Sequence, residues 1–220
     1  IEEGILQILK PSLKHIQGVY LTGSYARNEQ TSDSDIDIIV ITDGKIKLKN
    51  RIHEYEIVSG SIDQIRSTIA NNAGIILPML QEAKPIINST LLQELQKEKI
   101  TKKNTKWYMD TTKTSLELIK DWIKEKDMRS IPYIVYPLIM RLRGLILFET
   151  ILKAKKYSNK ILLDLLEKNK ISLELYSLYR EHRDHKSISN HRISYRDIEK
   201  TYNIVSQYFK EIKTKWEKLK

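Results

Sequence analysis

The apolar positions change period part-way along the chain. Ile5, Leu6, Ile8, Leu9 and Leu13 recur at helical spacing, which predicts a helix over residues 2–15. Gly18 to Leu21 is a short apolar run that reads as a buried strand, and Gly23 to Asn28 as a turn opening a short helix. The β-branched run of Ile36, Ile38, Ile39, Val40 and Ile41 predicts a strand. Thr42-Asp43-Gly44 is turn chemistry. Ile46 and Leu48 alternate with Lys45, Lys47 and Lys49, the pattern of a half-exposed edge strand guarded by lysines. Tyr55, Ile57 and Ser59 alternate with Glu54, Glu56 and Val58 in a further strand, after which Ser61 caps a helix to about residue 71. Residues 83–87 read as a last strand and residues 91–99 as a helix. Residues 1–100 are therefore expected to form an α+β unit.

Beyond about residue 104 every periodic segment is helical. Trp107, Tyr108, Ser115, Ile119 and Trp122 mark one helix, and Ser130 with Pro132 opens a second reaching about Lys155. Ser158 and Ser172 cap two more, and Ser194-x-x-Asp197 has the capping-box pattern of a fifth. In that fifth helix Ile198, Tyr202, Val205, Phe209, Ile212, Trp216 and Leu219 step by 4 and 3, the seam of an antiparallel bundle. Residues 101–220 thus read as an all-α bundle, with Lys97 to Lys106 as the boundary. Trp107, Trp122 and Trp216 sit at helical spacing and are expected in the core.

Composition changes this picture in three ways. The 220 residues hold no cysteine, which excludes disulfides, thiolate metal sites and cysteine nucleophiles. That fits a reducing compartment, and a cytoplasmic location is expected. The apolar runs Tyr133 to Met140 and Leu142 to Phe148 fall short of the ~20 residues that span a bilayer, so no membrane partner is expected. Charge is uneven: residues 1–100 carry 11 basic and 13 acidic residues, and residues 101–220 carry 27 and 15. The excess positive charge lies in the helical part, which suits either a polyanion or simple solvation.

The stretch Leu21-Thr-Gly-Ser-Tyr-Ala-Arg-Asn-Glu-Gln-Thr-Ser-Asp-Ser-Asp-Ile-Asp-Ile-Ile-Val40 carries the chemistry. A buried strand ends at Gly23-Ser24 and gives way to a helix, where glycine permits close backbone approach and amide groups favour an anion. Asp35 and Asp37 follow on a strand. Alternation puts both carboxylates on one face, where they repel unless a cation sits between them. Oxygen-only ligation suits Mg²⁺ or Mn²⁺. Asn28 follows Ala26-Arg27, and asparagine tolerates left-handed backbone angles better than most residues.

Gly23-Ser24 followed by Ser34-Asp35-Ile36-Asp37-Ile38 resembles the nucleotidyltransferase superfamily that includes DNA polymerase β. Glu56-Ile-Val-Ser-Gly-Ser-Ile-Asp-Gln-Ile65, and Leu77-Pro-Met-Leu with Lys84-Pro-Ile-Ile-Asn-Ser89 as a final strand, look like the kanamycin-type members. The resemblance implies a mixed sheet with flanking helices followed by a helical bundle. It implies a third carboxylate, for which Glu56 is preferred over Glu54, and two Mg²⁺ ions held by Asp35, Asp37 and Glu56. It implies a nucleoside triphosphate substrate, with ATP expected, held by Gly23, Ser24 and Arg27, although Arg27 fits a surface role equally well. A hydroxyl on a small molecule, protein or RNA would accept the nucleoside monophosphate, with pyrophosphate leaving. A homodimer is compatible with all of this. The competing reading is a non-catalytic nucleotide- or RNA-binding, antitoxin-like protein that keeps the fold.

Weaker signals lie in the helical part. Arg141, Arg143 and Glu149 interrupt an apolar helix, so Arg143 is a phosphate candidate and Glu149 a general-base candidate, against ordinary surface or paired charges. Arg180-Glu-His-Arg-Asp-His185 fits the Arg-x4-His spacing of the HEPN ribonucleases, against a solvated basic face. His182, His185 and His191 are a weak zinc candidate.

Overall fold

The computed structural model describes residues 1–32, 34–183 and 192–219. They form two compact units, Ile1–Thr105 and Lys106–Lys220.

The first unit is a five-stranded sheet flanked by helices. Helix α1 (Glu2–Leu9) is followed by a 3₁₀ turn, Lys10–His15. The single helix expected over 2–15 tightens there because Pro11 lacks an amide proton. Strand β1 (Ile16–Thr22) leads into α2 (Gly23–Arg27), which stops at Asn28 in the left-handed conformation, φ 59°. Strand β2 (Ile36–Thr42) follows, then β3 (Arg51–Ile52) and β4 (Tyr55–Ser61). Helix α3 (Ile62–Glu82), strand β5 (Lys84–Ile87) and α4 (Ser89–Leu95) complete the unit. The strand order is β3-β4-β2-β1-β5. β2 and β4 are parallel, and the remaining pairs are antiparallel.

Alternation sorts the side chains onto two faces. Leu21, Ile36, Ile38, Val40, Tyr55 and Ile57 pack with Ile5 and Leu9 of α1 and Ala26 of α2 in one core cluster. Ile39 and Ile41 point to the opposite face and are fully buried, as Ile76, Leu77 and Leu80 of α3 also are. At roughly 1.5–3 kcal/mol per buried aliphatic side chain, these two layers carry the sheet.

Three expectations fail in this unit. Lys45 to Lys49 form no strand, because no neighbour supplies the ladder that alternation alone suggested. Helix α3 runs past residue 71 through a kink at Asn72 (φ −152°, ψ 66°). Leu77 to Leu80, likened to part of the final strand, are consequently helical, whereas the strand expected over residues 83–87 forms as Lys84–Ile87. Ser61 does cap α3: its hydroxyl accepts from the Gln64 amide, and the Gln64 side chain reciprocates.

The second unit is helical throughout its described residues. It comprises α5 (Lys102–Glu125, beginning just before the division), α6 (Ile131–Leu152), α7 (Asn159–Lys168), α8 (Glu174–Arg183) and α9 (Tyr195–Trp216). Ser158 and Ser194 cap α7 and α9 as expected. Helix α6 is the hub. Ile134, Val135, Leu138, Ile139, Leu142 and Leu145 are fully buried, and α7, α8 and α9 pack on it. Arg141 joins the two short apolar runs into one 22-residue helix, so α6 is long and apolar enough to cross a membrane. Half of that apolar stretch is buried within the unit, where α6 is the helix on which α7, α8 and α9 pack. Trp216 is buried, but Trp107 and Trp122 are 53% and 38% exposed, contrary to their expected core position.

Candidate active site

The sheet register builds the site. Asp37 of β2 pairs with Thr22 of β1 on one side and with Glu56 of β4 on the other, and Glu56 pairs with Arg51 of β3. Paired residues in neighbouring strands present their side chains to the same face, about 4.8 Å apart. Arg51, Glu56, Asp37 and Thr22 thus form one row across four strands. Asp35 lies two residues before Asp37, on the approach to β2. Glu54 lies in the turn before β4, outside the ladder, and its carbonyl accepts from the Ile36 amide. Of the two glutamates, only Glu56 stands beside Asp37 in the sheet.

Gly23 closes the row. Its φ of +70° is left-handed, and a Cβ there would lie 2.7 Å from Asp37 Cγ. Only glycine lets the turn approach the Asp37 carboxylate this closely.

Two residues at the site, Glu82 and Arg51, were not anticipated from the sequence. Glu82, at the end of α3, accepts the Gly23 amide at 2.8 Å and the Thr22 hydroxyl at 3.2 Å. Its other oxygen accepts Arg27 Nη1 at 2.6 Å, while Arg27 Nε donates to Glu29 at 2.9 Å. The Arg27 side chain is only 9% exposed. Burial works against its charge, but Glu82 and Glu29 outweigh that and raise its pKa. Arg27 therefore braces the Gly23 turn against α3, and it is buried rather than the surface arginine that was its alternative reading. The Gly23 amide, assigned from sequence to phosphate, is engaged by Glu82.

The second unanticipated partner is Arg51. Its guanidinium donates to Asp35 Oδ1 at 2.6 Å and to Glu56 Oε1 at 3.1 Å. Two of the three expected metal ligands are thus bridged by one cation. Among the described residues no three His, Asp or Glu side chains converge as a ready-made metal group. The donor chemistry nevertheless fits a hard divalent ion: all the donor oxygens are carboxylate oxygens, two of the carboxylates already hold a positive charge, and Gly23 puts no Cβ against the Asp37 carboxylate. The signal for Arg51 was its place across the hairpin from Glu56, which is visible only once the hairpin register is known.

An open groove of about 470 Å³ runs along β4 and α3. Val58, Gly60, Gln64, Thr68 and Ile75 are among the residues lining it. Val58 lies two strand positions beyond Glu56, on the same face.

In the helical unit, Arg143 stacks over the Tyr157 ring at 5.7 Å. Burial opposes its charge, while Tyr157 and Tyr179 stabilise it and raise its pKa. Arg141 donates to Thr111 and Ser115. Glu149 accepts from Tyr208, Lys215 and Lys153. Burial disfavours its charge, but Lys153, Lys215 and Tyr208 hold its pKa down to about 2. So acidic a carboxylate is a poor proton acceptor near neutral pH, and the general-base expectation for Glu149 is not supported. His185 and His191 lie outside the described residues, so the Arg-x4-His and zinc readings do too.

Residues 2–110 match the family model of the nucleotidyltransferase domain. The N-terminal part of the chain belongs to the nucleotidyltransferase family. No curated protein matches the chain in sequence. Solved structures are similar to it as well, among them the following two. One is a nucleotidyltransferase-like protein from Exiguobacterium sibiricum, 12% identical, with a TM-score of 0.39 over 96% of this chain and 74% of that one. The other is a spectinomycin adenyltransferase from Enterococcus, determined with ATP and spectinomycin, 14% identical, with a TM-score of 0.44 over 94% of this chain and 97% of that one. In the nucleotidyltransferase domain described here, the carboxylate row and the Gly23 turn stand together at the ends of β1, β2 and β4.

Proposed function

We propose that the chain is an enzyme that moves a nucleoside monophosphate from a nucleoside triphosphate, with ATP the expected donor, onto a hydroxyl acceptor. Pyrophosphate leaves as the α-phosphorus–oxygen bond breaks and the bond to the acceptor oxygen forms. The observation that carries this reading is the register of Asp37 with Glu56, with Asp35 beside them and Gly23 packed against Asp37.

Asp35, Asp37 and Glu56 are the residues that would hold Mg²⁺ or Mn²⁺. Bound there, the metal supplies charge stabilisation for the attacking and departing oxygens. Ser24, the first residue after the Gly23 turn, is assigned to the triphosphate. Arg27 and Glu82 keep that turn in place. The groove along β4 and α3 is of small-molecule size, and we assign it to substrate bound beside Glu56. A reducing, cytoplasmic setting suits a chain without cysteine.

One observation favours a second reading. Arg51 ties up Asp35 and Glu56, as it would in a protein that kept the fold and lost the metal. Incubation with α-labelled ATP, Mg²⁺ and a panel of hydroxyl compounds separates the two. Label transfer that disappears in Asp37→Asn supports the enzyme. Label retained on ATP with every acceptor, by a protein that binds ATP without metal, supports the non-catalytic module.

A further inference from the structure

We propose that Arg51 is a built-in counter-ion that keeps free divalent cations out of the carboxylate row until a nucleotide-bound cation displaces it. The inference rests on the proposed function and adds a selection step to it. Its basis is the pair of ion contacts from one guanidinium, 2.6 Å to Asp35 and 3.1 Å to Glu56. One carboxylate lies on the approach to β2 and the other on β4, and both belong to the expected metal set. A planar guanidinium suits such a two-point grip better than an ammonium does.

The hairpin aims it. Strand β3 is only two residues long, and Arg51 stands directly across from Glu56. Arg51 Nε donates to the His53 carbonyl at 3.3 Å, and His53 has a φ of 53°. The tight turn therefore fixes the arginine stem while its far end reaches Glu56 and Asp35.

The grip is also built to be broken. The Arg51 side chain is 58% exposed, so it can swing into water without crossing packed atoms. Exposed ion pairs are individually weak. Mg²⁺ sheds its water reluctantly, so a free ion gains little by competing with Arg51. An ion carried by a triphosphate brings the phosphate contacts as well, and it can win. Arg51 is on this basis a positioning residue: it holds Asp35 and Glu56 in place and makes cation entry depend on nucleotide.

The test is Mn²⁺ binding without nucleotide, read from the electron paramagnetic resonance signal of the free ion. Wild type, Arg51→Gln, Arg51→Lys and Arg66→Gln are compared, each checked for a native melting transition. Arg51→Gln is expected to bind Mn²⁺ about fivefold more tightly than wild type, ~1 kcal/mol at 1.4 kcal/mol per tenfold. Arg51→Lys, which keeps the charge and loses the fork, should fall between them. It also serves as the readout if the glutamine variant does not fold. Arg66→Gln removes a positive charge elsewhere in the unit and should leave the affinity unchanged. With ATP present, wild type and Arg51→Gln should converge. Equal Mn²⁺ affinity in wild type and both Arg51 variants, with Mn²⁺-dependent ATP binding by wild type intact, overturns the role of Arg51 alone. No Mn²⁺-dependent ATP binding by wild type overturns the functional reading beneath it.

Discussion

Replacing Gly23 with alanine should damage the site out of proportion to the single methyl group added. Two costs arise. A residue other than glycine at φ +70° carries strain of ~1–2 kcal/mol. The new Cβ would also fall inside the van der Waals envelope of Asp37 Oδ2, 2.7 Å from Cγ and 3.0 Å from Cβ. Relief requires the Asp37 carboxylate to rotate away or the turn to lift, which costs about 1–3 kcal/mol more. The combined loss is ~2–5 kcal/mol, a large share of the ~5–15 kcal/mol that ordinarily holds a domain together. Gly44→Ala supplies the matching control. Its φ is +80°, but its Cβ would meet only Ser61 Cβ at an ordinary 3.5 Å. Gly44→Ala should therefore lose about 1–2 kcal/mol and bind metal-dependent ATP normally. Urea unfolding gives the stability change and titration calorimetry the binding. If Gly23→Ala binds Mg²⁺-dependent ATP as tightly as Gly44→Ala does, the close approach of the turn to Asp37 does not matter to the site.

The remaining predictions concern single side chains. Arg27→Ala should lower stability by ~3 kcal/mol, because Glu82 would be left enclosed without its cation; unchanged urea unfolding would return Arg27 to the phosphate role. Glu56→Gln should abolish nucleotide transfer, while Glu54→Gln should retain it within a few-fold, as label transfer from ATP will register; the opposite pattern moves the third ligand to Glu54. Glu149 contributes through a lowered pKa, about 2 against an ordinary 4.5, so its stabilisation is present above about pH 4.5 and is lost as pH falls through 2. The full shift corresponds to ~3 kcal/mol, and screening of the half-exposed Lys153 and Lys215 brings the expectation to about 1.5 kcal/mol. Glu149→Gln should accordingly be less stable than wild type at pH 7, with the gap closing near pH 2; a gap independent of pH would contradict the ion-pair assignment.

What could be read from the sequence was what local chemistry decides. The Gly23 turn, the left-handed Asn28, strand β2 and the Ser61, Ser158 and Ser194 caps each depend on a few adjacent residues. The failures share a different cause. Lys45 to Lys49 alternate correctly but find no partner strand, and pairing is a property of the whole sheet. Asn72 admits a kink that lets one helix absorb Leu77 to Leu80. Arg141 sits inside α6 without ending its apolar length, because Thr111 and Ser115 on a neighbouring helix accept its guanidinium. In the site, Asp35 and Asp37 stood out by type and spacing, and Glu56 only through the family resemblance. Arg51 and Glu82 did not, since each reaches the site across a strand pair or from the far end of a helix. Carboxylates announce a cation, whereas the residue that occupies its place is revealed by three-dimensional register.

The most direct test of the central claim is Mg²⁺-dependent ATP binding by titration calorimetry, on wild type and on Asp35→Asn and Asp37→Asn. ATP should bind wild type only when Mg²⁺ is present, and each folded variant should lose that binding. Equal binding by wild type and both variants would contradict the assignment of Asp35 and Asp37 to the metal. No ATP binding by folded wild type, with or without Mg²⁺, would contradict the nucleotidyl-transfer function itself.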